Sequence, residues 1–502
     1  MSQIQVSNVT FSYDTSYDNI FENASFTIDT DWKLGLVGRN GKGKTTFLNL
    51  LLGRYDYSGS ISHSTCFDYF PCPVTQEQSR LLTIDLAEEL IPDFELWKIC
   101  RELDSLKASA EILYRPYETL SHGERTKVML ALLFSRDNHF LLIDEPTNHL
   151  DIDARTLLRD YLCSKKGFLL VSHDRWLLNE CVDHVLVLNR STIRVEKGNF
   201  DSWYANKVMQ DNFEQAENDK LKQEIGKLKE AARRSAMWAD KAEGRKIGYD
   251  PIKEHDRCMG TRAYIGAKSA RMQQQRKNLE HRQKTALEEK ETLLKDMETV
   301  SDLKLPTLSH HKQILIRADK LSLGYGTNPI VKDLTFSLEQ GDRIWLQGRN
   351  GCGKSTLIKA ILGDPSVLRL SGELQTASGL IVSYINQDTS HVTGRLDDYI
   401  RSTDIDESLF KAILRQLDFA RTQFGKLLEE YSEGQKKKIL IATSLLTPAH
   451  LYIWDEPLNY IDIFSRMQLE NLILTHCPTL LFVEHDRTFG EKMSTRTIEM
   501  NL

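Results

Sequence analysis

The sequence predicts an α/β protein in which one unit is written twice, with an α-helical hairpin between the copies. Three observations predict it. A fixed series of motifs recurs in the same order about 310 residues apart. Each copy alternates short apolar runs with helical stretches. The segment between the copies changes to charged sequence with apolar residues at heptad-like spacing.

The repeat comes first because it sets the domain count. GRNGKGKTT (38–46) is echoed by GRNGCGKST (348–356), FLLIDEPTNHLD (140–151) by LYIWDEPLNYID (451–462), and VSHDR (171–175) by VEHDR (483–487). The openings VSNVTFSYD (6–14) and RADKLSLGYG (317–326) also correspond. Runs such as FLLI and LYIW, ending in Asp-Glu, read as strands buried on both faces of a mainly parallel sheet. The expected boundaries are a first unit at 1–204, a linker at 205–312 and a second unit at 313–502.

Composition narrows the class. A chain of 502 residues is too long for one hydrophobic core, which agrees with the duplication. With 40 % apolar and 27 % charged residues and no run of about 18 uncharged apolar residues, no membrane helix is expected. The opening MSQIQVSNVTFSYD has no basic-then-apolar signal, so a cytoplasmic location is expected. The eight cysteines are scattered without a CxxC pair, which argues against zinc or an iron–sulfur cluster and fits free thiols.

In the linker, Leu221, Ile225, Leu228, Ala232 and Ser235 alternate four and three residues apart, and Leu279, Ala286 and Leu293 repeat at seven. Gly244, Gly248, Pro251 and Gly260 should break the helices, giving an antiparallel hairpin with its tip near 240–265. Arms of about 35–40 residues would reach on the order of 50–60 Å. Residues 226–284 carry 16 Lys/Arg against 7 Asp/Glu in a chain whose net charge is −6. A solvated coiled coil would account for the charge alone. The sign asymmetry, with Trp238, Tyr249 and Tyr264 beside Arg245, Lys246, Lys253, Arg257 and Arg262, favours a tip that contacts RNA through phosphates and stacked bases.

The phosphate chemistry is carried by GxxxxGK[ST], at Gly38, Gly43, Lys44 and Thr45 and again at Gly348, Gly353, Lys354 and Ser355. Backbone N–H groups around Asn40, Gly41 and Thr46, and around Asn350, Gly351 and Thr356, would curl about ATP phosphates at a helix N-terminus. Lys44 and Lys354 would hold β/γ oxygens, and the hydroxyls of Thr45 and Ser355 would ligate Mg²⁺. Asp144 and Asp455, ending buried strands, would bind the same ion. Glu145 and Glu456 follow as the groups that polarise the attacking water. His173 and His485, 28 and 29 residues further on, would sense the γ-phosphate. Tyr13 and Tyr325 could stack on adenine or belong to ordinary packing.

These motifs resemble the ATP-binding cassette superfamily, in particular its ABC-F branch: two cassettes in one chain, no membrane domain and a charged linker. LSHGE (120–124) and YSEGQ (431–435) stand where that family has its LSGGQ signature. The resemblance implies ATPase activity with ATP and Mg²⁺, and two sites formed between paired cassettes of a monomer. Site I would comprise Lys44, Thr45, Asp144, Glu145 and His173, closed by Ser432 and Gly434. Site II would comprise Lys354, Ser355, Gln387, Asp455, Glu456 and His485, closed by Ser121 and Gly123. Gln387 would be a further Mg²⁺ ligand, and Asp151 and Asp462 match the family's D-loop aspartates.

DEPLNYIDI and RAYIGAKSARM (262–272) look like the Lsa-type antibiotic-resistance members. That likeness implies binding to 23S rRNA and tRNA at the exit site of the 70S ribosome. It also implies protection of the peptidyl-transferase centre from lincosamide, pleuromutilin and streptogramin A drugs. A housekeeping ABC-F translation factor on stalled ribosomes is the alternative. An ATPase subunit of a membrane transporter gives no reason for a basic hairpin of 100 residues. Several residues depart from the pattern: Cys72 stands at the first Q-loop glutamine, His122 and Glu433 replace a signature glycine, and Leu458 replaces the Thr of EPTN. They predict unequal sites, with Glu433 bringing negative charge toward the γ-phosphate of site I.

Overall fold

The computed structural model describes residues 2–13, 19–39, 41, 43–92, 94–148, 150–188, 193–247, 305–326, 328–403, 405–417, 419 and 423–500. Between 221 and 247 it describes the side chains of 222–227, 230 and 237. The chain divides into two compact units, one of residues 1–203 with 302–502 and the other of 204–301.

In the first unit each cassette is built from two sheets. β1 (Gln3–Phe11), β2 (Phe21–Asp29) and β4 (Ser58–Ser62) form an antiparallel sheet ordered β2-β1-β4. A six-stranded sheet is ordered β5-β6-β7-β3-β8-β9. Its strands are β3 (Lys33–Val37), β5 (Cys66–Phe70), β6 (His139–Asp144), β7 (Phe168–Val171), β8 (His184–Leu188) and β9 (Ile193–Lys197). All its pairings are parallel except β8 with β9. Helices α1 (Lys44–Leu51), α2 (Thr83–Leu90), α3 (Leu96–Ser105), α4 (His122–Phe134), α5 (Ile152–Ser164) and α6 (Arg175–Cys181) complete the cassette.

The second cassette repeats the plan. β10 (Ile314–Tyr325), β11 (Asn328–Glu339) and β13 (Leu368–Thr376) form the antiparallel sheet. β12 (Arg343–Gln347), β14 (Val382–Ile385), β15 (Leu451–Asp455), β16 (Leu480–Val483) and β17 (Arg496–Glu499) form a parallel sheet ordered β14-β15-β16-β12-β17. Its helices are α8 (Lys354–Ile361), α9 (Leu396–Ser402), α10 (Glu407–Gln416), α11 (Glu433–Leu446), α12 (Ile463–His476) and α13 (Arg487–Met493).

The apolar runs explain the sheets. Phe168–Val171 and Leu480–Val483 are buried at every position, as strands covered on both faces must be. Phe47, Leu48 and Leu51 of α1 pack with Ile4, Val6, Phe140 and Leu169 into one core that joins both sheets of the first cassette. Leu357, Ile358, Leu321 and Ile453 do the same in the second. Register then places the chemistry. Asp144 lies opposite Val171 and Asp455 opposite Val483, so the acidic strand ends and the following His173 and His485 emerge at one edge of each sheet.

The linker begins as α7 (Phe200–Ile247), 48 residues and therefore roughly 72 Å of helix. Gly244 does not break it: one glycine costs only about 1 kcal/mol relative to alanine, too little to end so long a helix. Of the expected seam, Ile225 is buried. The side chains of Leu221, Leu228, Ala232, Ser235, Trp238, Arg245 and Lys246 lie outside the described residues, as do Tyr249, Lys253, Arg257, Arg262, Tyr264 and the return arm. Among the described residues no helix is long and apolar enough to cross a membrane, and all seven cysteines are free thiols.

Candidate functional site

Each Gly-rich loop ends in a glycine with positive φ, Gly43 at 91° and Gly353 at 98°. A Cβ there would approach Ile20 Cγ2 to 2.7 Å or Val331 Cγ2 to 2.6 Å, so only glycine fits. The helix that follows therefore opens without a side-chain cap and presents its first N–H groups for an anion. The lysines fold back over this cradle. Lys44 Nζ donates to Gly38 O at 2.8 Å, and Lys354 Nζ to Gly348 O at 2.7 Å and Arg349 O at 2.9 Å. Burial holds the Lys44 ammonium below its ordinary pKa, which makes the neighbouring carboxylates and an arriving phosphate more valuable to it. Asn40 lies outside the described residues.

The expected metal ligands meet in pairs. The Thr45 hydroxyl bonds the Asp144 carboxylate, and Ser355 bonds Asp455; burial raises the pKa of both acids, and these bonds lower it. Asp455 Oδ1 is buried without a hydrogen-bond partner, which fits a hard divalent cation. In the first cassette Tyr69 Oη donates to Asp144 Oδ2 at 3.1 Å, whereas Tyr384 Oη turns to Asn386 Oδ1 at 3.3 Å and leaves Asp455 free of a phenol.

Glu145 and Glu456 both hold left-handed backbone, φ 50° and 48°, pinned by N–H bonds to Val171 O (2.9 Å) and Val483 O (3.1 Å). The two cassettes thus hold this glutamate in the same backbone conformation. Their surroundings differ. Glu456 Oε2 accepts from Gln387 Nε2 at 2.9 Å and Asn459 Nδ2 at 2.8 Å, and Oε1 lies 3.2 Å from His485 Nε2. Burial pushes this carboxyl up, but the bonds from His485 and Asn459 hold it below its ordinary value. Glu145 meets His173 Nε2 at 3.4 Å and the His173 N–H at 3.3 Å. Burial and the neighbouring Asp144 push it up to about 8, the opposite direction from Glu456. Burial also holds His173 well below its ordinary pKa. Cys72 Sγ points to Tyr69 O at 3.4 Å, and burial pushes that thiol to about 11.

Residues of both cassettes line a cavity beside each Gly-rich loop. A cavity of about 400 Å³ lies between Gly41 of the first Gly-rich loop and Ser432, Glu433, Gly434 and Tyr460. Gly434 approaches the second cassette's own D-loop so closely that a Cβ would sit 2.6 Å from Tyr460 O. Ser432 and Ser121 cap α11 and α4, each in a capping box with Gln435 or Glu124. At the second Gly-rich loop a cavity of about 440 Å³ is lined from the first cassette by Asp151, Ile152 and Asp153. Ser121 and Gly123 are not among its walls. Arg349 Nε bridges the cassettes to Asp153 Oδ2 at 3.0 Å. Asp151 caps α5, and the buried Asp462 caps α12 while pairing with Lys438 Nζ at 3.0 Å. Tyr325 is 44 % exposed, so its ring has a free face; Tyr13 hydrogen-bonds Thr46 Oγ1 at 2.9 Å and packs edge-on against Phe11 and Tyr55.

Two contacts surround the departures in the second cassette. Glu433 still lines the cavity facing Gly41, and Thr389 Oγ1 donates to its Oε2 at 2.5 Å. Leu458 has no hydroxyl to match the contact of Thr147 with Ser172, and Glu484, at the place of Ser172, accepts the Leu458 N–H at 2.8 Å. The expected inequality of the sites rests on Glu145 and Cys72 together with Glu433. Single-turnover assays should show Glu456→Gln losing about tenfold more activity than Glu145→Gln, about 1.4 kcal/mol of barrier. Equal losses would mean that three donors on Glu456 confer no advantage. Sequence reasoning missed Asn459, although its place in EPLN, echoing EPTN, was a usable signal.

Buried charge joins the cassettes. Arg175 clamps Glu470 with both terminal guanidinium nitrogens, one at 3.2 Å, and Lys492 Nζ adds a bond at 3.0 Å. On the symmetry-related side Trp176 lies between Arg159, 4.7 Å from its ring centroid, and Arg487 at 5.8 Å. Glu470→Ala would leave Arg175 buried without its carboxylate. Thermal or denaturant unfolding should record a loss of about 3–5 kcal/mol; a loss below about 1 kcal/mol would show the clamp to be incidental.

The fold and the two sites define a tandem P-loop ATPase. The family profile described as ABC transporter matches residues 21–148 and 331–459, just over half of the chain, and the chain belongs to that family. It is similar to Ribosome protection protein VmlR of Bacillus subtilis, 26 % identical over 96 % of this chain and 84 % of that protein. It is similar to ATP-binding protein Uup of Caulobacter vibrioides, 27 % identical over 96 % and 75 %. Among solved structures, the complex of archaeal ribosomal stalk protein aP1 with ribosome recycling factor aABCE1 shares the fold. The TM-score is 0.60 at 17 % identity, over 98 % of this chain and 87 % of that one.

Proposed function

We propose that this ATPase works on the ribosome and protects the peptidyl-transferase centre from lincosamide, pleuromutilin and streptogramin A drugs, its linker tip reaching in from the tRNA exit site. The observation that carries the reading is the linker: it opens as a helix of 48 residues, and residues 226–284, which start within that helix, carry 16 Lys/Arg against 7 Asp/Glu. A relative named for ribosome protection, similar over 96 % of the chain, supports it.

Lys44 and Lys354 neutralise the β/γ-phosphates within the N–H cradles of α1 and α8. Thr45 with Asp144, and Ser355 with Asp455 and the Gln387 amide oxygen, would hold Mg²⁺, which when bound neutralises charge on the β/γ oxygens. Water attacks the γ-phosphorus as the bond to the bridging oxygen breaks, giving ADP and phosphate. Glu456 orients that water and receives its proton, while His485 and Asn459 keep the carboxylate ionised and aimed. Ser432 and Gly434 close site I over the phosphate.

Co-sedimentation tests the ribosome reading. The Glu145→Gln/Glu456→Gln chain should pellet with 70S ribosomes in ATP far more than in ADP. Equal recovery in both nucleotides would contradict it.

A further inference from the structure

Two thiols of the first cassette meet at the ends of neighbouring helices. Cys163 lies in the last turn of α5, and Cys181 is the last residue of α6. Their Sγ atoms stand 3.3 Å apart, although the residues are 18 positions apart in sequence. Cys181 is 2 % exposed and Cys163 is half-buried, so solvent reaches the pair from the Cys163 side. Each thiol also makes a weak contact with a backbone carbonyl, Cys163 Sγ with Glu180 O at 3.4 Å and Cys181 Sγ with Arg159 O at 3.5 Å.

Packing alone does not ask for thiols here. A buried cysteine often serves as a small apolar side chain. At the corresponding places the second cassette has Leu474 and Met493, so apolar groups suffice for that corner of the fold. The surroundings in the first cassette are cationic. Lys33 Nζ donates to Cys163 O at 2.6 Å, which sets an ammonium beside the pair, and Arg159 adds a guanidinium. Burial, and after it the Cys163 thiol, hold the Cys181 thiol above its ordinary pKa, whereas Lys33 and Arg159 pull it down. Cys163 is therefore the thiol that meets an oxidant, and Cys181 the one that waits beside it.

We propose that Cys163 and Cys181 form a reversible oxidation site whose substrate is a small hydroperoxide. The Cys163 sulfur attacks hydrogen peroxide and takes one oxygen as a sulfenic acid. The O–O bond breaks, and the other oxygen leaves as water with the thiol proton. The Cys181 sulfur then attacks the sulfenic sulfur: the S–S bond forms, the S–O bond breaks, and a second water carries off the Cys181 proton. The two sulfurs lose two electrons in all, and one peroxide becomes two waters. A dithiol restores the pair by exchange and is itself oxidised to a disulfide. The loop so closed contains β7, His173 of site I and the Arg175 that clamps Glu470, and the bridge staples that segment at both ends.

Peptide mapping tests the proposal. The full chain, reduced and freed of reductant, is treated with hydrogen peroxide in modest excess, its remaining thiols are alkylated, and its peptides are mapped without reduction. The expected product is a peptide pair joined through Cys163 and Cys181, lighter by two hydrogens than the separate thiols and returned to them by dithiothreitol. In the Cys181→Ala chain, Cys163 should accumulate sulfenic acid that dimedone traps. In the Cys163→Ser chain, the buried Cys181 should lose its thiol at least about tenfold more slowly than in the parent. Absence of the Cys163–Cys181 link at a peroxide dose that oxidises the exposed Cys66 or Cys477 would overturn the proposal. So would loss of the Cys181 thiol at the parent rate in the Cys163→Ser chain. Mapping of the parent chain decides even where a variant fails to fold.

Discussion

Replacing both Glu145 and Glu456 by glutamine should abolish turnover, by about 100-fold or more, while ATP affinity stays within a fewfold of the parent. The amide keeps the shape, and its oxygen can still accept from the His173 N–H at site I or from Gln387 and Asn459 at site II, but it cannot take a proton from water. The phosphate-binding parts are untouched, because Lys44 and Lys354 lie on the Gly-rich loops and their hydrogen bonds run to Gly38, Gly348 and Arg349. ATP should therefore hold the cassettes closed with Ser432 and Gly434 over site I. Residual hydrolysis within threefold of the parent would remove both glutamates from the chemistry.

Exchange of residues 244–258 for a short Gly/Ser segment should eliminate drug protection and leave basal ATPase within about twofold. The phosphate sites belong to the unit of residues 1–203 and 302–502, and the exchanged segment to the unit of 204–301. Nothing in the replaced stretch contributes to a Gly-rich loop, an acidic strand end or a signature. What it removes is Arg245, Lys246, Lys253 and Arg257 with Tyr249, the basic and aromatic groups suited to RNA phosphates and bases. Protection that survived the exchange would reduce the linker to a spacer.

The Gly-rich loops and the acidic strand ends were legible because their backbone demands are local. GxxxxGK[ST] specifies a turn only glycine can make, and the chain places Gly43 and Gly353 in that turn. A run such as FLLID or LYIWD specifies a buried strand with an acid at its end. What sequence could not show was which long-range partners each side chain acquires. Glu433 reads as a charge in the signature, and its donor Thr389 lies 44 residues away. Leu458 reads as a lost hydroxyl, and the acceptor of its N–H, Glu484, comes from the adjacent strand end. Gly244 reads as a helix break because the rule is local, whereas helix on both sides carries α7 through to Ile247. Glu145 and Glu456 are identical letters in matching motifs; their different surroundings separate them.

The central claim is that two ATP sites drive protection of the ribosome, and drug susceptibility of a sensitive host tests it most directly. The host is grown with the parent chain, with Glu145→Gln/Glu456→Gln, or with neither, against a lincosamide, a pleuromutilin and a streptogramin A. The account predicts that the parent chain raises the inhibitory concentration several-fold for at least one class, and that the double variant does not. Unchanged susceptibility to all three in a host that accumulates the parent chain would contradict it, and so would protection that persists in the double variant.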